Sequence, residues 1–454
     1  MKDYNSITTN NENLFHVIQM RPLCSSIELK EAIKGVSKKY ILLYLFETGE
    51  IEWDKHGIDR LLKVAEDTQA KLIYSDYNEN RNNTKTPHPL IDYQIGSVRD
   101  DFDFGKAILM NTASIRSVLS MLNYNYRFAG FYSIRLFLGD GKSIVHLNES
   151  LYTYHIRSTQ DNNSHFAYVD PKNREVQKEM ELAFSQFLKA NGSYIPYSNL
   201  KRENFDSASF PREASVIIPV RNREKTIANA INSALSQKTD FKFNVIVVDN
   251  HSTDKTSSII HSFVQKTSQV IHILPDTGNY GIGGCWNLAV TTPECGKFAV
   301  QLDSDDLYNS PNTLQKIVNT FYKEQCAMVV GSYKLTNFDL DEIPPGIIDH
   351  IEWTAENGHN NLLRVNGIGA PRAFYTKIIR ENLFPNVSYG EDYAVALRIS
   401  REYRIGRIFE PLYNCRRWEG NSDAHLTQEK LNLFNNYKDR LRSYEILARI
   451  NKKP

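Results

Sequence analysis

The chain has 454 residues, which is too long for one ordinary hydrophobic core and predicts two or three domains. Hydrophobic residues make up 41% and charged residues 24%, as in soluble globular proteins, and a formal net charge of +1 gives no general attraction to nucleic acid. No apolar run approaches the roughly 18 residues that span a bilayer, and the first residues lack the apolar centre of a secretory signal. The five cysteines form no CxxC pair, so we expect reduced thiols and a cytoplasmic location.

The first part of the chain contains an acidic loop and a long helical pattern. Residues 97–105 carry three aspartates, but Phe102 and Phe104 among them indicate packing, so we interpret this segment as a polar loop near a domain interface. Residues 174–190 combine mixed charge with an apolar stripe, which predicts a docking helix. Residues 192–213 are polar and include two prolines. We therefore place two domains at residues 1–205 and 206–454.

Strand and helix patterns alternate after this boundary. Short runs rich in β-branched residues occupy 214–220, 243–248, 270–274 and 298–302, and helical stripes lie between them. This alternation predicts an α/β domain with a mostly parallel sheet. Ligands bind such sheets beyond the carboxyl ends of the strands. The polar segments 219–223, 249–254 and 303–306 would therefore line one crevice if their strands are neighbours.

The last of these segments places three carboxylates, Asp303, Asp305 and Asp306, directly after an apolar run. Carboxylates this close repel one another unless a cation compensates. Mg²⁺ or Mn²⁺ prefers oxygen ligands and commonly bridges carboxylates to substrate phosphates. The alternative is a solvated turn in which Asp303 or Asp305 caps the following helix.

Five stretches of the second region occur in the order that one enzyme family shows. They are Ser215–Asn222, Val247–Asp254, Asn279–Asn287, Leu302–Asp306 and Tyr389–Tyr393. With them, residues 214 to about 425 resemble an inverting glycosyltransferase of family two, which has the Rossmann-like GT-A fold. The resemblance implies that Leu302–Asp306 is the family's DXD metal motif.

The resemblance also assigns roles to individual residues. Asp303 and Asp305 would bind Mn²⁺ or Mg²⁺, and Asp392, beside Glu391, would be the general base. The alternative for this acidic pair is that it only stabilises a helix N-terminus. The expected contacts to the nucleotide sugar are Pro219, Val220, Arg221, Asn222, Asp249, Asn250, Asn279, Gly281, Trp286, Asn287, Asp303, Ser304, Arg416 and Arg417.

Three positions depart from the family's pattern. Trp286 stands where the family often has arginine, so it would stack on a base or simply pack. Asn250 replaces a second aspartate, which affects recognition of the base. Arg416 and Arg417 occupy the region of a histidine that binds metal or phosphate, and would either hold the diphosphate as bidentate donors or form a solvated basic pair.

The first region repeats part of the second. Ala70–Ser75 resembles Ala327–Ser332, 257 residues later, and Glu149–Tyr152 resembles Glu410–Tyr413, 261 residues later. We therefore expect a smaller, degenerate GT-A-like α/β domain that lacks the nucleotide-binding half. Chance similarity between two α/β segments is the alternative.

The repeat would lack the chemistry of the second region. At these two spacings Phe46 and Thr48 replace Asp303 and Asp305, and Phe131 replaces Asp392. Phenylalanine can neither bind a metal nor accept a proton. We expect this domain to be catalytically silent and to serve packing, acceptor positioning or dimerisation.

The whole sequence predicts a metal-dependent inverting glycosyltransferase that moves a sugar from a nucleotide-sugar donor to a glycan or lipid-linked acceptor, with no nucleic-acid partner. One alternative is a protein that binds nucleotide sugar or glycan without turnover, which the intact Asp303, Asp305 and Asp392 oppose. Another is a nucleotidyltransferase, which would show a glycine-rich run near the first strand. We leave open a homo-oligomer and contact of the basic helical segment 428–450 with the inner face of a membrane, although a docking helix is preferred.

Overall fold

A computed structural model describes residues 11–157, 174–205, 209–276, 280–421 and 426–452. The chain divides into two compact units, one of Met1–Tyr194 with Leu426–Pro454 and one of Ile195–His425. All five cysteines are free thiols, as expected. Within the described ranges, no helix combines the length and apolar character needed to cross a membrane.

The chain up to residue 194 contains nine strands and five helices among its described residues. They are β1 (Phe15–Met20), α1 (Ser26–Ile33), β2 (Tyr40–Leu45), β3 (Glu50–Trp53), α2 (Gly57–Thr68), β4 (Leu72–Ser75), β5 (Tyr77–Arg81), β6 (Thr84–His88), β7 (Ala107–Asn111), α3 (Thr112–Met121), α4 (Gly130–Leu138), β8 (Ile144–Leu147), β9 (Tyr152–His155) and α5 (Arg174–Ala190).

Strands and helices alternate again after residue 195. The elements are β10 (Ala214–Val220), α6 (Ile227–Leu235), β11 (Phe243–Asp249), α7 (Thr256–Lys266), β12 (Val270–Ile273), α8 (Ile282–Thr291), β13 (Phe298–Gln301), β14 (Leu307–Tyr308), α9 (Thr313–Glu324), β15 (Met328–Thr336), β16 (Glu342–Ile348), α10 (Gly358–Asn361), β17 (Arg372–Tyr375), α11 (Thr376–Glu381), α12 (Glu391–Ser400), β18 (Ile405–Arg416) and α13 (Gln428–Asn451).

The first unit is built on a five-stranded sheet with the order β1-β2-β7-β4-β8. β1 is parallel to β2, β7 is antiparallel to β2 and β4, and β4 is parallel to β8. Every residue of Tyr40–Leu45 in β2 is buried, as expected for an apolar strand covered on both faces. A second sheet has the order β3-β9-β5-β6.

The C-terminal helix α13 belongs to the first unit, whereas the sequence analysis assigned it to the second domain. Its buried Asp439 accepts a hydrogen bond from the Ser97 hydroxyl at 3.0 Å and pairs with Arg442 at 2.8 Å and Arg99 at 3.4 Å. The acidic loop at residues 97–105, which was predicted to lie near a domain interface, thus packs against α13. The sequence predicted a docking helix here but not its partner, because the Arg99–Asp439 contact joins residues over 300 positions apart.

Replacing Asp439 with asparagine should release α13, because the Arg99 and Arg442 guanidinium groups would lose a buried partner, at about 3–5 kcal/mol. Hydrogen–deuterium exchange across Gln428–Asn451 should accelerate at least a hundredfold in D439N. The exposed Glu429 on the same helix supplies the control, E429Q, which should exchange like the wild type. Equal exchange in all three proteins would contradict the assigned role of Asp439.

The second unit contains a nine-stranded sheet with the order β12-β11-β10-β13-β17-β15-β18-β14, and β16 pairs with β15 at its side. β10 to β13 are parallel to one another, β17 is antiparallel to β13 and β15, and β18 is parallel to β15. The predicted α/β fold with a mostly parallel sheet is confirmed. Amphipathic helices cover the sheet. Phe321 of α9, for example, stacks on Phe298 of β13 with ring centroids 4.3 Å apart.

The strand arrangement of the first unit reappears inside the second. The order and directions of β1-β2-β7-β4-β8 match those of β10-β13-β17-β15-β18, and β3-β9-β5-β6 matches β14-β18-β15-β16. Strands β11 and β12 have no counterpart in the described part of the first unit's sheets. This correspondence supports the predicted half-copy without a nucleotide-binding half.

The pairing registers refine the predicted alignment of the two copies. Tyr40 pairs with Asn111 as Phe298 pairs with Tyr375, and Leu72 pairs with Met110 as Met328 pairs with Phe374. Counting five residues along from Tyr40 and Phe298 places Leu45 at the position of Asp303. The predicted alignment placed Phe46 there, one residue away, because the segment from Tyr40 to Leu72 is longer than the corresponding segment from Phe298 to Met328.

Candidate active site

Three neighbouring parallel strands end in polar loops at the same edge of the second unit's sheet. β10 lies between β11 and β13, so the loops after Val220, Asp249 and Gln301 are adjacent. The first two loops are joined directly. The Asn222 backbone N–H donates to the Ser252 hydroxyl at 2.9 Å, and the Thr253 N–H donates to Asn222 Oδ1 at 2.7 Å. The crevice expected from the sequence is therefore present.

The second loop contains a carboxylate that accepts hydrogen bonds, Asp249, followed by an amide whose oxygen has no hydrogen-bond partner among the described residues, Asn250. Asp249 is fully buried and accepts hydrogen bonds from the Ser252 N–H and the Ser257 hydroxyl. Burial alone would raise the pKa of Asp249, but the nearby His272, 3.6 Å away, and hydrogen bonds from Ser252 and Ser257 hold it well below its ordinary value. The carboxylate thus fixes its own loop.

Asn250, the next residue, has a spare acceptor. Its Nδ2 donates to the Tyr280 carbonyl at 2.6 Å, and its backbone N–H donates to the Val220 carbonyl at 2.8 Å. Its Oδ1 is buried and has no hydrogen-bond partner among the described residues. A buried acceptor of this kind is suited to a ligand N–H group.

The loop after β13 buries the carboxylates of the predicted metal motif. Both Asp303 oxygens accept hydrogen bonds from Gln301 Nε2, at 2.8 and 3.0 Å. Asp306 accepts a hydrogen bond from the Arg416 backbone N–H at 2.8 Å, which ties this loop to β18. Burial, together with neighbouring carboxylates, raises the pKa of Asp303 and raises that of Asp306 well above its ordinary value.

Asp305 faces donors from two other segments. Its Oδ2 lies 3.6 Å from Arg223 Nε and accepts hydrogen bonds, both 3.3 Å long, from Trp418 Nε1 and Asn421 Nδ2. Its backbone carbonyl accepts a hydrogen bond from Arg416 Nε. Asp305 is thus held within a shell of donors suited to a negative charge.

The second acidic pair begins α12 and lies beside the first. Arg372 Nη1 lies 2.7 Å from Asp392 Oδ2, and the charges of Asp392, Asp303 and Glu391 all act on this arginine. Burial lowers the pKa of Arg372, but these three carboxylates more than offset the effect and raise it above its ordinary value. The metal motif and the pair Glu391–Asp392 therefore occupy one electrostatic site.

Glu391 is a buried acid within this site. Burial, reinforced by the charge of Asp392, raises the pKa of Glu391 to about 8. Its Oε2 is buried and has no hydrogen-bond partner in the described part of the chain. At neutral pH the protonated form therefore predominates in the metal-free protein.

Several predicted nucleotide contacts instead hold the protein together. Trp286 is buried against Phe374 and Phe384, with ring centroids 5.7 and 5.1 Å away, so the structure favours packing over base stacking. The Asn287 amide binds both the N–H and the carbonyl of Phe384. These two side chains join α8 to the segment before α12.

The other predicted contacts lie around the crevice or outside the described residues. Gly281 caps α8, where a Cβ would lie 2.4 Å from the Val387 carbonyl carbon. Asn279 lies outside the described residues. The remaining positions follow the strand ends: Pro219 and Val220 end β10, Arg221 follows it, Ser304 is buried in the loop after β13, and Arg416 and Arg417 lie at the end of β18.

Arg416 and Arg417 differ in their surroundings. Arg416 is buried, its guanidinium lies 5.1 Å from the Phe338 ring, and its Nη2 has no hydrogen-bond partner among the described residues. The Arg417 backbone N–H donates to the Thr336 carbonyl at 2.7 Å. Of the two, Arg416 therefore offers a buried donor next to the metal motif.

The sequence analysis missed four residues of the site: Gln301, Arg372, Arg223 and Trp418. Gln301 carried a signal, because it is the one polar residue in the run Phe298–Leu302. The other three reach the carboxylates through tertiary folding, from β17, the loop after β10 and the loop after β18. No local pattern indicates such contacts.

The residues present fit a divalent cation that is completed by substrate. Among the described residues, no three histidine, cysteine, aspartate or glutamate side chains converge as a ready-made metal cage. Mg²⁺ usually binds through one or two carboxylates and substrate phosphates, so Asp303 and Asp305 could supply the protein's share. Burial, with the charges of Asp305 and Asp392, raises the pKa of Asp303, and a bound cation would favour its ionised form.

Comparison with known proteins identifies the class of this site. Residues 215–384 match the family model described as Glycosyl transferase family 2. This match lies within the second unit, which therefore contains a glycosyltransferase domain of family 2. Both predictions, of the family and of an enzyme of this class, are confirmed.

Curated relatives align with about half of the chain or less. An uncharacterized glycosyltransferase of Rickettsia felis is 27% identical over 241 residues, 51% of this chain and 37% of that protein. The Escherichia coli enzyme WfgD, a UDP-Glc:alpha-D-GlcNAc-diphosphoundecaprenol beta-1,3-glucosyltransferase, is 28% identical over 195 residues, 43% of this chain and 72% of that protein. The chain thus spans just over a third of the Rickettsia relative.

The poly(ribitol-phosphate) beta-N-acetylglucosaminyltransferase TarS of Staphylococcus aureus is also similar. It is 39% identical over 98 residues, which is 21% of this chain and 16% of that protein. A crystal structure of TarS residues 1–349 with UDP aligns with 52% of this chain and 65% of that chain, at 25% identity and a TM-score of 0.40.

The raised pKa of Glu391 predicts how stability depends on pH. The folded metal-free chain retains a proton up to about pH 8 that the unfolded chain loses near pH 4.5. Stability should therefore fall as pH rises from about 4.5 to 8, by at most about 1.4 kcal/mol per pH unit from this group. E391Q lacks this ionisation, so its advantage over the wild type should grow over the same range.

Thermal unfolding in EDTA at several pH values between 5 and 8 measures this difference. Asp303 and Asp306 are present in both proteins, so the comparison isolates Glu391. Parallel curves for E391Q and wild type would show that Glu391 is not a buried acid.

Proposed function

We propose that this protein is a metal-dependent inverting glycosyltransferase that moves a sugar from a nucleotide-sugar donor to a hydroxyl of a glycan or lipid-linked acceptor. One observation carries this proposal. The carboxylates after β13 and the carboxylate of Asp392 lie around one guanidinium, Arg372. An acid cluster for the donor and a base for the acceptor then share a single site.

Inverting transfer requires a base on the side of the sugar opposite the leaving group. Asp392 takes the proton of the acceptor hydroxyl as its oxygen bonds to the anomeric carbon. The bond between this carbon and the phosphate oxygen breaks, and its electron pair leaves with the nucleoside diphosphate. A divalent cation held by Asp303 and Asp305 would stabilise the charge on that leaving group. Arg416 Nη2 supplies a further donor toward the same charge.

The donor base is proposed to be uracil. Asn250 Oδ1 can accept the N3–H of uracil, whereas cytosine presents a lone pair at that position. The names of WfgD and of the TarS complex contain UDP, which agrees with this choice. Guanine also has a ring N–H, so size as well as hydrogen bonding must contribute to selection.

The acceptor class is proposed from the relatives. WfgD acts on a diphosphoundecaprenol-linked sugar and TarS on a poly(ribitol-phosphate), so both acceptors contain phosphate. We propose a phosphate-containing lipid-linked or polymeric acceptor, used on the cytoplasmic side of a membrane. The first unit is proposed to be catalytically silent, because apolar residues replace the site's carboxylates there.

Removing the metal motif or the base should abolish turnover. With Mn²⁺ and a UDP-sugar, D305A and D392N should each slow release of UDP at least about a hundredfold, because each lacks a group needed in the transition state. The control D240A changes an exposed aspartate between α6 and β11 and should retain full activity. Binding of the donor without any metal-dependent release by the wild type would instead support a binding protein.

The role of Asn250 can be tested by nucleotide binding. Calorimetry with Mn²⁺ should show tighter binding of UDP than of CDP. N250V should weaken UDP about tenfold by removing one buried hydrogen bond, whereas N250D should retain the preference because a carboxylate also accepts the N3–H. Equal affinity of wild type and N250V for UDP would contradict the proposed contact.

A further inference from the structure

The Arg372 guanidinium is held through one nitrogen by two partners. Nη1 donates to the Gly369 carbonyl at 3.2 Å and lies 2.7 Å from Asp392 Oδ2, and the side chain is only 20% exposed. A guanidinium held by a backbone carbonyl can hold a carboxylate in one orientation. The other Asp392 oxygen accepts a hydrogen bond from the Tyr393 N–H at 2.7 Å. Both oxygens are thus oriented by the protein.

The backbone of Arg372 is connected to the metal motif. Its N–H donates to Gln301 Oε1 at 3.1 Å, and Gln301 Nε2 donates to both oxygens of Asp303. A single buried amide therefore links the strand that carries Arg372 to the carboxylate that serves the donor. Gln301, Asp303, Arg372 and Asp392 form one connected polar network, which we call the strand-end network.

The first unit shows that the fold does not need this network. Strand registers place Leu43, Leu45 and Ile108 at the positions of Gln301, Asp303 and Arg372. Phe131, the second residue of α4, corresponds to Asp392, the second residue of α12. All four counterparts are apolar and buried in one core. The same strand arrangement therefore forms with four polar groups exchanged for four apolar ones.

A purely structural role for the Arg372–Asp392 ion pair does not explain why the second unit has polar residues where the first has apolar ones. Buried ion pairs are often no more stabilising than apolar residues of similar size, so stability alone gives little reason to keep one. Asp303 also places a like charge near Asp392. Without the arginine, this repulsion would favour a different orientation of the base.

We propose that Arg372 is a positioning residue that holds Asp392 toward the acceptor hydroxyl, acting through the base and not through the donor. The proposal rests on the proposed glycosyltransferase function. It predicts that loss of Arg372 lowers the rate of the chemical step while the donor still binds.

Hydrolysis of a UDP-sugar with Mn²⁺ tests whether Arg372 affects the chemical step without affecting binding of the donor. R372M should lower kcat about a hundredfold and leave the KM for the donor within about twofold, as expected when only transition-state geometry is lost. R372K should recover about tenfold of that loss, because an ammonium replaces part of the charge but not the planar fork. R380M, which changes an exposed arginine bonded to the Val290 and Thr292 carbonyls, is the matched control and should retain wild-type kcat.

A double-mutant cycle with Asp392 separates positioning from folding. If Arg372 acts through the base, R372M should change the residual rate of D392N by less than about threefold. Thermal unfolding of each variant reports folding independently. A full hundredfold loss in the D392N background, or unchanged kcat in R372M, would overturn the proposal and leave the glycosyltransferase function intact. Absence of metal-dependent hydrolysis in the wild type would overturn both.

Discussion

The site depends on one constraint: the negative charge of its buried carboxylates must be compensated by cations. Five carboxylates lie in the loop after β13 and at the start of α12. Arg372 lies beside Asp392, while Arg223 and Arg416 lie near Asp305 and Asp306. These arginines do not fully offset the negative charge, so burial and repulsion raise the pKa values of Asp303, Asp306 and Glu391. A divalent cation would correct this deficit of positive charge.

The two units share one strand arrangement, but the second has buried carboxylates in its site and the first has apolar residues at the corresponding positions. In the first unit, buried apolar residues occupy the corresponding positions, and the sheet forms without carboxylates to compensate. In the second unit, the added strands β11 and β12 extend the sheet and bring a nucleotide-type loop beside the acidic loop. The strand arrangement therefore does not require the strand-end network, which agrees with the proposal that this network serves the chemistry.

Much of the fold and the acidic half of the site could be predicted because their signals are local. Buried strands appear as short β-branched runs, and polar residues directly after them mark the ligand edge of a parallel sheet. The order of strands then confirmed that these loops are adjacent. The family resemblance added the pairing of Asp303 with Asp392, two positions far apart in the sequence.

The other features of the site and fold could not be predicted, because they depend on contacts between distant segments of the chain. Arg372 meets Asp392 only because β17 lies antiparallel beside β13, and α13 packs within the first unit through an ion pair between Asp439 and the distant Arg99. Trp286 could be assigned to packing only once Phe374 and Phe384 were seen around it. The alignment of the two copies also shifted by one residue, since the lengths of the connecting segments vary while strand registers do not.

The most direct test is a crystal structure of the protein with Mn²⁺ and UDP, with data collected at the manganese absorption edge. The account predicts one anomalous peak bound by carboxylate oxygens of Asp303 and Asp305, with the nucleotide diphosphate as a further ligand and Asp392 in the same cavity. It also predicts no peak beside Leu45 in the first unit. A bound nucleotide without manganese at Asp303 and Asp305, or manganese held elsewhere in the chain, would contradict the central claim.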